Sequence, residues 1–301
     1  MFSFLNPFRK PSRAIIETTN RCNLNCPFCM VGLDAERIRE KGSASHDTMT
    51  RSRGMMSPEI FDAVLENLVS FRIRKAYLHF QGEPFLNRHT PLFASRLKRA
   101  GIRISVFTNG QAFTDENISE LADAEIDCIR FSVDGASEST YGKNRVGGRF
   151  ETVYTNMKKV RLAHEGKNTR IEWQFLALKN NEHEIPEARK LADRLGVHFF
   201  VKGFRETDPA LAPENPKYRA RRLQKPCTDI YLQLGIYWNG DVVPCCYDVD
   251  AHEVMGNVLE NDLKTIWRSP KYRDFRRRVD RAHTRPSNEP CLCRHCLRWG
   301  P

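Results

Sequence analysis

Up to about residue 205, short β-rich runs alternate with amphipathic helical runs. The strand candidates are Ala14–Glu17, Ala76–Phe80, Ile102–Phe107, Cys128–Val133, Ile171–Ala177 and His198–Lys202. Between them, Ser57–Pro58–Glu59 pairs a capping residue with a first-turn proline, and Ile60, Phe61, Val64, Leu65 and Leu68 follow at helical spacing. Thr114–Asp115–Glu116 opens another helix, and Pro186 begins a third near Ala188, Leu191 and Leu195. Six β/α alternations predict a parallel sheet, because parallel neighbours need crossovers. An eight-stranded closed barrel would need more chain. The expectation is an α/β fold, a partial (β/α)6 TIM-like barrel whose chemistry sits at the C-terminal strand ends.

Two stretches break the alternation. Residues 32–56 are polar and weakly patterned, and a loop of that length reads as a lid or substrate loop. Residues 206–226, rich in Pro and Arg, read as a linker. The expected division is 1–205 for the barrel, 206–226 for the linker and 227–301 for a small cysteine-bearing unit. The 301 residues hold no apolar run long enough to span a bilayer. The start, MFSFLNPFRKPSR, lacks the apolar core of a signal peptide, so a cytoplasmic location is expected.

Charge and cysteine content change this picture. Lys plus Arg number 48 against 37 acids, a net charge of +11. Much of the excess lies late, at Lys217, Arg219, Arg221, Arg222 and Lys225, then at Lys271, Arg273, Arg276, Arg277, Arg278 and Arg281. A solvated helical face is the plain reading, and a docking patch for an acidic electron donor the sharper one. No nucleic-acid motif accompanies the charge. The 10 cysteines are clustered, which in a reducing compartment points to metal rather than disulfides.

Cys22, Cys26 and Cys29 fall directly after the first strand candidate. A zinc site normally takes four ligands. Three thiolates at this spacing suit a [4Fe–4S] cube with one iron left open, and a zinc knuckle borrowing a distant ligand is the alternative. Cys-x3-Cys-x2-Cys, with Phe28 before its last cysteine, resembles the signature of the radical SAM superfamily. The resemblance spans roughly residues 13–205. Gln81–Gly82–Glu83–Pro84 is similar to the family's GGEP segment, with Gln in place of the first Gly, and implies a hold on the amino group of S-adenosyl-L-methionine (SAM). Thr108–Asn109–Gly110 resembles the family's TNG. Ser132–Val133–Asp134–Gly135 resembles its SVDG, implying contacts to ribose and carboxylate. Arg145 matches an Arg that meets the cofactor carboxylate. All would face one end of the barrel.

The segment from Cys227 through Gly240, Cys245, Cys246, Asp248 and Trp267 to Cys293-Arg-His-Cys296 resembles SPASM and twitch domains, which bind auxiliary [4Fe–4S] clusters. That resemblance implies one auxiliary cluster on Cys227, Cys245, Cys293 and Cys296. Cys246 and Cys291 are rival ligands for Cys245 and Cys293, and a structural zinc ribbon is the alternative for the region. Cys128 reads as a small core hydrophobe.

The implied chemistry is reductive cleavage of SAM to methionine and a 5′-deoxyadenosyl radical, which takes hydrogen from an unactivated C–H bond. The electron would come from a flavodoxin- or ferredoxin-type reductant. The aminoglycoside-biosynthesis members are the most similar: an epimerase converting neomycin C to neomycin B, and a butirosin-pathway dehydrogenase. In the first pattern Cys246, held near the barrel mouth, donates hydrogen to the opposite face. In the second, an alcohol becomes a ketone through the auxiliary cluster. Peptide modification is a third reading, disfavoured because the first strand begins near residue 14. A non-catalytic iron–sulfur carrier is a fourth. Asp34, Glu36, Glu206, Asp208 and Asp248 are candidates to offset the positive charge near a cationic substrate, or are ordinary surface acids.

Overall fold

The computed structural model describes residues 10–29, 31, 49–204, 208–220 and 227–284. Cys291, Cys293 and Cys296, with Asp34, Glu36 and Glu206, lie outside the described residues. Among the described residues no helix is long and apolar enough to cross a membrane.

Strand β1 is Arg13–Ile16, β2 Lys75–Leu78, β3 Arg103–Thr108, β4 Cys128–Ser132, β5 Arg170–Leu176 and β6 His198–Lys202. Each pairs in parallel with the next, as the alternation requires. The crossovers carry helices α1 (Pro58–Ser70), α2 (Thr90–Arg99), α3 (Asp115–Asp123), α4 (Glu138–Asn144), α5 (Phe150–Ala163) and α6 (Ile185–Leu195). Helix α1 starts where the sequence expects it, with the Ser57 side chain accepting the Ile60 N–H, and Phe61, Val64 and Leu68 are buried. Thr114 and Asn117 form a reciprocal capping box on α3.

Side-chain alternation splits the sheet into two faces. Ala14, Ile16, Ala76, Leu78, Ile104, Val106, Ile129 and Phe131 join the helical residues Phe61, Val64, Phe93 and Leu97 in one apolar core. The opposite, concave face carries Tyr77, Phe107, Arg130, Glu172 and Phe200, which are polar or aromatic. The partial-barrel architecture therefore places an apolar layer outside and a mixed lining within.

The sheet does not stop at six strands. Strands β7 (Gln233–Ile236), β8 (Asp241–Val243) and β9 (Gly256–Asn257) follow, giving the order β6-β5-β4-β3-β2-β1-β7-β8-β9. Strand β7 runs parallel to β1, with Arg13 opposite Gln233 and Ile16 opposite Ile236. β8 and β9 return antiparallel. The cysteine-bearing segment thus shares a sheet with the barrel. Its short helices α7 (Asp229–Leu232) and α8 (Leu263–Arg268) precede a longer one, α9 (Pro270–Thr284).

The expected linker, 206–226, is described over 208–220. There the Phe204 N–H donates to the Tyr218 carbonyl, the Phe204 carbonyl accepts the Ala220 N–H, and the Lys179 N–H donates to the Leu211 carbonyl. The late charge run is not uniformly solvated either. Arg276 is buried at 3% exposure, and Arg278 makes a two-pronged pair with Glu253 at 2.7 and 2.9 Å. Cys128 is buried on β4, and burial together with the nearby Glu172 pushes its thiol up to about 11.

Candidate radical SAM site

After β1 the chain continues through Glu17, Thr18, Thr19 and Asn20, all buried. The end of the long loop holds this stretch. Met56 N–H donates to Thr18, and Thr19 Oγ1 donates to the Gly54 carbonyl at 2.7 Å. Asn20 Oδ1 accepts the Gly54 N–H and its Nδ2 donates to the Ser52 carbonyl, both at 2.8 Å. Gly54 has to be glycine, since a Cβ there would lie 2.4 Å from the Trp238 ring. Residues 49–56 are therefore a clamp on the cysteine segment and not a free lid. Residues 32–48 lie outside the described residues.

Cys22, Cys26 and Cys29 stand close enough for their charges to act on one another. The Cys29 N–H donates to the Cys26 carbonyl at 3.0 Å, closing a tight turn. Burial pushes the Cys22 thiol up to about 11 and the Cys26 thiol up to about 12. Donors face two of the sulfurs: Asn109 Nδ2 lies 3.9 Å from Cys22 Sγ, and Arg145 Nη1 lies 3.8 Å from Cys26 Sγ.

The other motif residues converge on this turn from successive strand ends. Gly82 has φ +79°, and a Cβ would sit 2.5 Å from the Arg21 carbonyl oxygen. Only glycine lets this loop touch the backbone that leads into Cys22. The adjacent Glu83 N–H donates to that same Arg21 carbonyl at 2.8 Å. Gln81 is buried despite replacing a glycine of the pattern, and Pro84 opens a buried turn.

Glu83 ties two strand ends together. Its Oε1 accepts from Thr108 Oγ1 at 2.7 Å, and its Oε2 accepts the Asn109 N–H at 2.6 Å. Burial outweighs these bonds and pushes the carboxyl up to about 7. A carboxyl whose folded value is raised holds its proton more tightly when folded, so its ionisation erodes stability as pH rises from about 4.5 to about 7. Glu83→Gln removes that titration. The stability lost in Glu83→Gln is therefore expected to be smaller at pH 8 than at pH 5, measured by denaturant unfolding. An equal loss at both values would contradict this assignment.

Asp134 and Arg145 form a buried pair. Arg145 Nε donates to Asp134 Oδ2 at 2.7 Å, and Asp134 Oδ1 accepts the Leu176 N–H at 2.7 Å. Burial alone would lower the Arg145 pKa, but Asp134, Cys26 and Tyr141 hold it above the usual guanidinium range. The guanidinium also lies 5.3 Å over the Phe28 ring. Ser132 ends β4 opposite Gln174. Every motif residue named from the sequence around the first cysteines thus lies at one end of the sheet.

The second cysteine set is partly described. Cys245 Sγ accepts the Tyr247 N–H at 3.4 Å, whereas Cys246 Sγ accepts from Gln233 Nε2 at 3.8 Å, so the adjacent side chains diverge. The Cys246 thiol lies beside the Gln233 side chain. Gln233 is level with Arg13, the first residue of β1. That is four residues, roughly 13 Å, below the level of Glu17. The reason is the antiparallel return of β8, which carries the chain back toward the start of β7. Leu234 and Ile236 face the outer core, so Gln233 faces the concave side and brings the Cys246 thiol with it. Three residues on, Val249 packs beside Cys22 and Cys29. Asp248 is fully buried and accepts the His252 and Glu253 N–H groups, both at 2.9 Å, so it builds a turn. Asp208 likewise caps a turn through the Ala210 N–H.

A family model described as the radical SAM superfamily matches residues 16–171, just over half of the chain. The chain belongs to the radical SAM superfamily. A second family model, SPASM, described as an iron–sulfur cluster-binding domain, matches residues 227–297. Among curated proteins, the S-adenosyl-L-methionine-dependent 2-deoxy-scyllo-inosamine dehydrogenase of Niallia circulans is 22% identical over 93% of this chain and 90% of its own length. The PqqA peptide cyclase of Gluconobacter oxydans is 25% identical over 96% of this chain and 85% of its own. The crystal structure of BtrN in complex with AdoMet and 2-DOIA superposes with a TM-score of 0.58 at 18% identity, covering 91% of this chain and 88% of that one.

As a radical SAM enzyme with a SPASM-type segment, the chain uses SAM, a [4Fe–4S] cluster and auxiliary iron–sulfur. The residues around Cys22, Cys26 and Cys29 fit such a group. Soft thiols converge in a dry turn, and an arginine and an amide N–H donor face their sulfurs.

Sequence reasoning passed over several residues here. Arg51 pairs with Glu17, and its guanidinium lies 3.8 Å over the Tyr237 ring. On the concave face His79 stacks on Phe107 at 4.2 Å, and the Arg130 guanidinium lies 4.2 Å over the same Phe107 ring while pairing with Glu172 at 2.6 Å. Burial, with Lys202 and Arg130 nearby, pushes His79 down to about 3, so it is a neutral ring. Glu17 begins the cysteine motif and was within reach of the sequence. Arg51, in a polar loop, carries no local signal.

Proposed function

We propose that this radical SAM enzyme inverts one carbon of a sugar or aminocyclitol in aminoglycoside biosynthesis, a redox-neutral epimerisation of the neomycin C to neomycin B type, with Cys246 as hydrogen-atom donor. The observation that carries this reading is the Cys246 thiol, turned to the concave face beside Gln233 while Cys245 turns to the Tyr247 N–H.

In this reading residues 1–205 form the barrel, 206–226 the connection and 227–301 the auxiliary-cluster unit. Cys22, Cys26 and Cys29 hold the first cluster, and Cys227, Cys245, Cys293 and Cys296 the auxiliary one. When bound, cluster and SAM supply a carbon radical able to take a hydrogen atom from an unactivated C–H bond. Phe28, Gln81, Gly82, Glu83, Pro84, Thr108, Asn109, Ser132, Asp134 and Arg145 shape the SAM pocket. Arg145 offers a fixed cation to the SAM carboxylate, and Glu83 keeps the Asn109 turn in place.

The substrate C–H bond breaks at one face. The Cys246 S–H bond then breaks, and its hydrogen joins carbon at the other face. The sulfur radical takes one electron from a flavodoxin- or ferredoxin-type donor and one proton from solvent. The reducing cytoplasm suits such thiols. Glu17 and Glu172 are concave-side carboxylates paired with Arg51 and Arg130, and an amino sugar's ammonium groups would draw on them.

Cys246→Ala is expected to keep forming 5′-deoxyadenosine while the inverted product disappears, read by chromatography under anaerobic turnover. In deuterium oxide the wild type places one solvent deuterium at the inverted carbon. Unchanged product from Cys246→Ala would overturn the donor role. A carbonyl product without deuterium would favour the second reading, oxidation of a secondary alcohol, which the likeness to the 2-deoxy-scyllo-inosamine dehydrogenase supports. The similarity to a peptide cyclase supports a peptide substrate as a third reading.

A further inference from the structure

The first cysteine turn is dry on one side. Val31, Met49 and Val249 are buried together there, and Cys22 and Cys29 pack against them. Cys26 is 4% exposed. Water has little access to these sulfurs, so the N–H groups of the protein itself decide how negative charge on them is offset.

Two such donors are built in, and each is held from behind. The Asn109 amide is fixed in orientation, because its Oδ1 accepts the Gln111 N–H at 2.8 Å. Its Nδ2 therefore carries two hydrogens on the other side. One goes to Asn23 Oδ1 at 2.8 Å, and the other is left for Cys22 Sγ at 3.9 Å. The Asn109 backbone N–H is pinned in turn by Glu83 Oε2 at 2.6 Å. Arg145 is anchored in the same way. Its Nε donates to Asp134 Oδ2 at 2.7 Å, and the fully buried Asp134 is itself gripped by the Leu176 N–H. With that end fixed, Nη1 stands 3.8 Å from Cys26 Sγ.

An electron added to a thiolate-ligated cluster makes its sulfurs more negative, so an N–H aimed at them binds the reduced state more tightly. Such bonds raise the reduction potential, whereas a dry surround lowers it. We propose that Asn109 and Arg145 donate hydrogen bonds to Cys22 and Cys26 that raise the reduction potential of the first cluster. This goes beyond their reading as residues that shape the SAM pocket, and it rests on the reading of Cys22, Cys26 and Cys29 as that cluster's ligands. The two donors offset the dry turn and ease electron entry from a flavodoxin- or ferredoxin-type donor.

The test is an EPR-monitored redox titration of the anaerobically reconstituted full chain without SAM, so that changes in SAM binding do not enter. The signal followed is the one that Cys29→Ala lacks, and iron is counted on the same samples. Asn109→Leu removes the N–H, keeps the branching of the side chain and leaves charge unchanged. Arg145→Met combined with Asp134→Asn removes a cation and an anion together, so the N–H is lost at constant net charge. The double variant is expected to shift the oxidised-to-reduced equilibrium about tenfold, ~59 mV more negative for one electron. Asn109→Leu should move it in the same direction by less, because a neutral amide is a weaker donor than a guanidinium. A merely structural role would lower the iron count without moving the potential of the clusters that remain. Should one variant fail to retain the cluster, the other decides. Intact first clusters with an unmoved potential would overturn this inference alone. A Cys29→Ala chain that keeps every wild-type signal would overturn the ligand reading and the inference with it.

Discussion

Cys26→Ala is expected to reduce SAM cleavage to the level of buffer without enzyme. Cys26 is 4% exposed, its thiol is pushed up to about 12 by burial, and Arg145 Nη1 sits 3.8 Å from its sulfur. Such a thiol persists as a thiolate only when a metal and a cation compensate the lost hydration. Under the proposed assignment its partners are Cys22 and Cys29, and without Cys26 two thiols would have to hold a cube that takes three. With one auxiliary cluster as proposed, iron should fall from about eight to about four per chain. Cys26→Ser should fail almost as completely, since a hydroxyl is a hard and weakly acidic donor. The assay counts iron and sulfide and measures 5′-deoxyadenosine after dithionite reduction. Retained cleavage in Cys26→Ala would remove this cysteine from the cluster.

Arg145→Met is expected to be the most destabilising single change at the site, by roughly 3–5 kcal/mol, because it strands a buried carboxylate. Asp134 is fully buried, and Arg145 Nε at 2.7 Å is its cationic partner. The Leu176 N–H, also at 2.7 Å, remains but carries no charge. Methionine keeps much of the packing against Phe28 and supplies no donor. Adding Asp134→Asn removes the stranded charge while an oxygen still answers Leu176. The double variant should regain most of the stability and none of the SAM affinity. Denaturant unfolding of the cluster-free chain and equilibrium dialysis of SAM separate the two effects. A double variant that binds SAM like the wild type would show that Arg145 serves the fold alone.

Much of the barrel was legible because its signals are local. The six parallel strands fall within a residue or two of the runs marked by apolar alternation. The caps at Ser57 and Thr114 sit where their side chains can reach N–H groups three residues on. The Gln81–Pro84 segment illustrates how a local signal can be right for a reason the sequence hides. Gly82 is glycine because backbone from residues 19–21 presses against it, which no neighbour in sequence announces. Glu83 was read as a partner for an ammonium. In the structure both its oxygens are engaged by Thr108 and Asn109, so it acts first as a strut.

What local pattern left unread shares one cause, which is contact between residues far apart in the chain. Cys246 meets Gln233, thirteen residues earlier, and β7 pairs with β1 across 220 residues. Asp248 was a candidate surface acid, and the turn it organises buries it. The basic run on α9 looked like one solvated face, yet Arg276 is enclosed by Trp267 and Tyr272.

The amino-acid sequence alone determined the alternating elements, the cysteine turn and the residues gathered at the strand ends, because spacing along a strand or turn translates directly into a shared face. Tertiary structure alone decided that the C-terminal segment extends the barrel sheet, that Arg51 and residues 49–56 clamp the cysteine turn, and that Cys246 meets Gln233 while Arg276 is enclosed by Trp267 and Tyr272. Those outcomes depend on β-pairing and burial between segments up to 220 residues apart, and no local pattern encodes that energy.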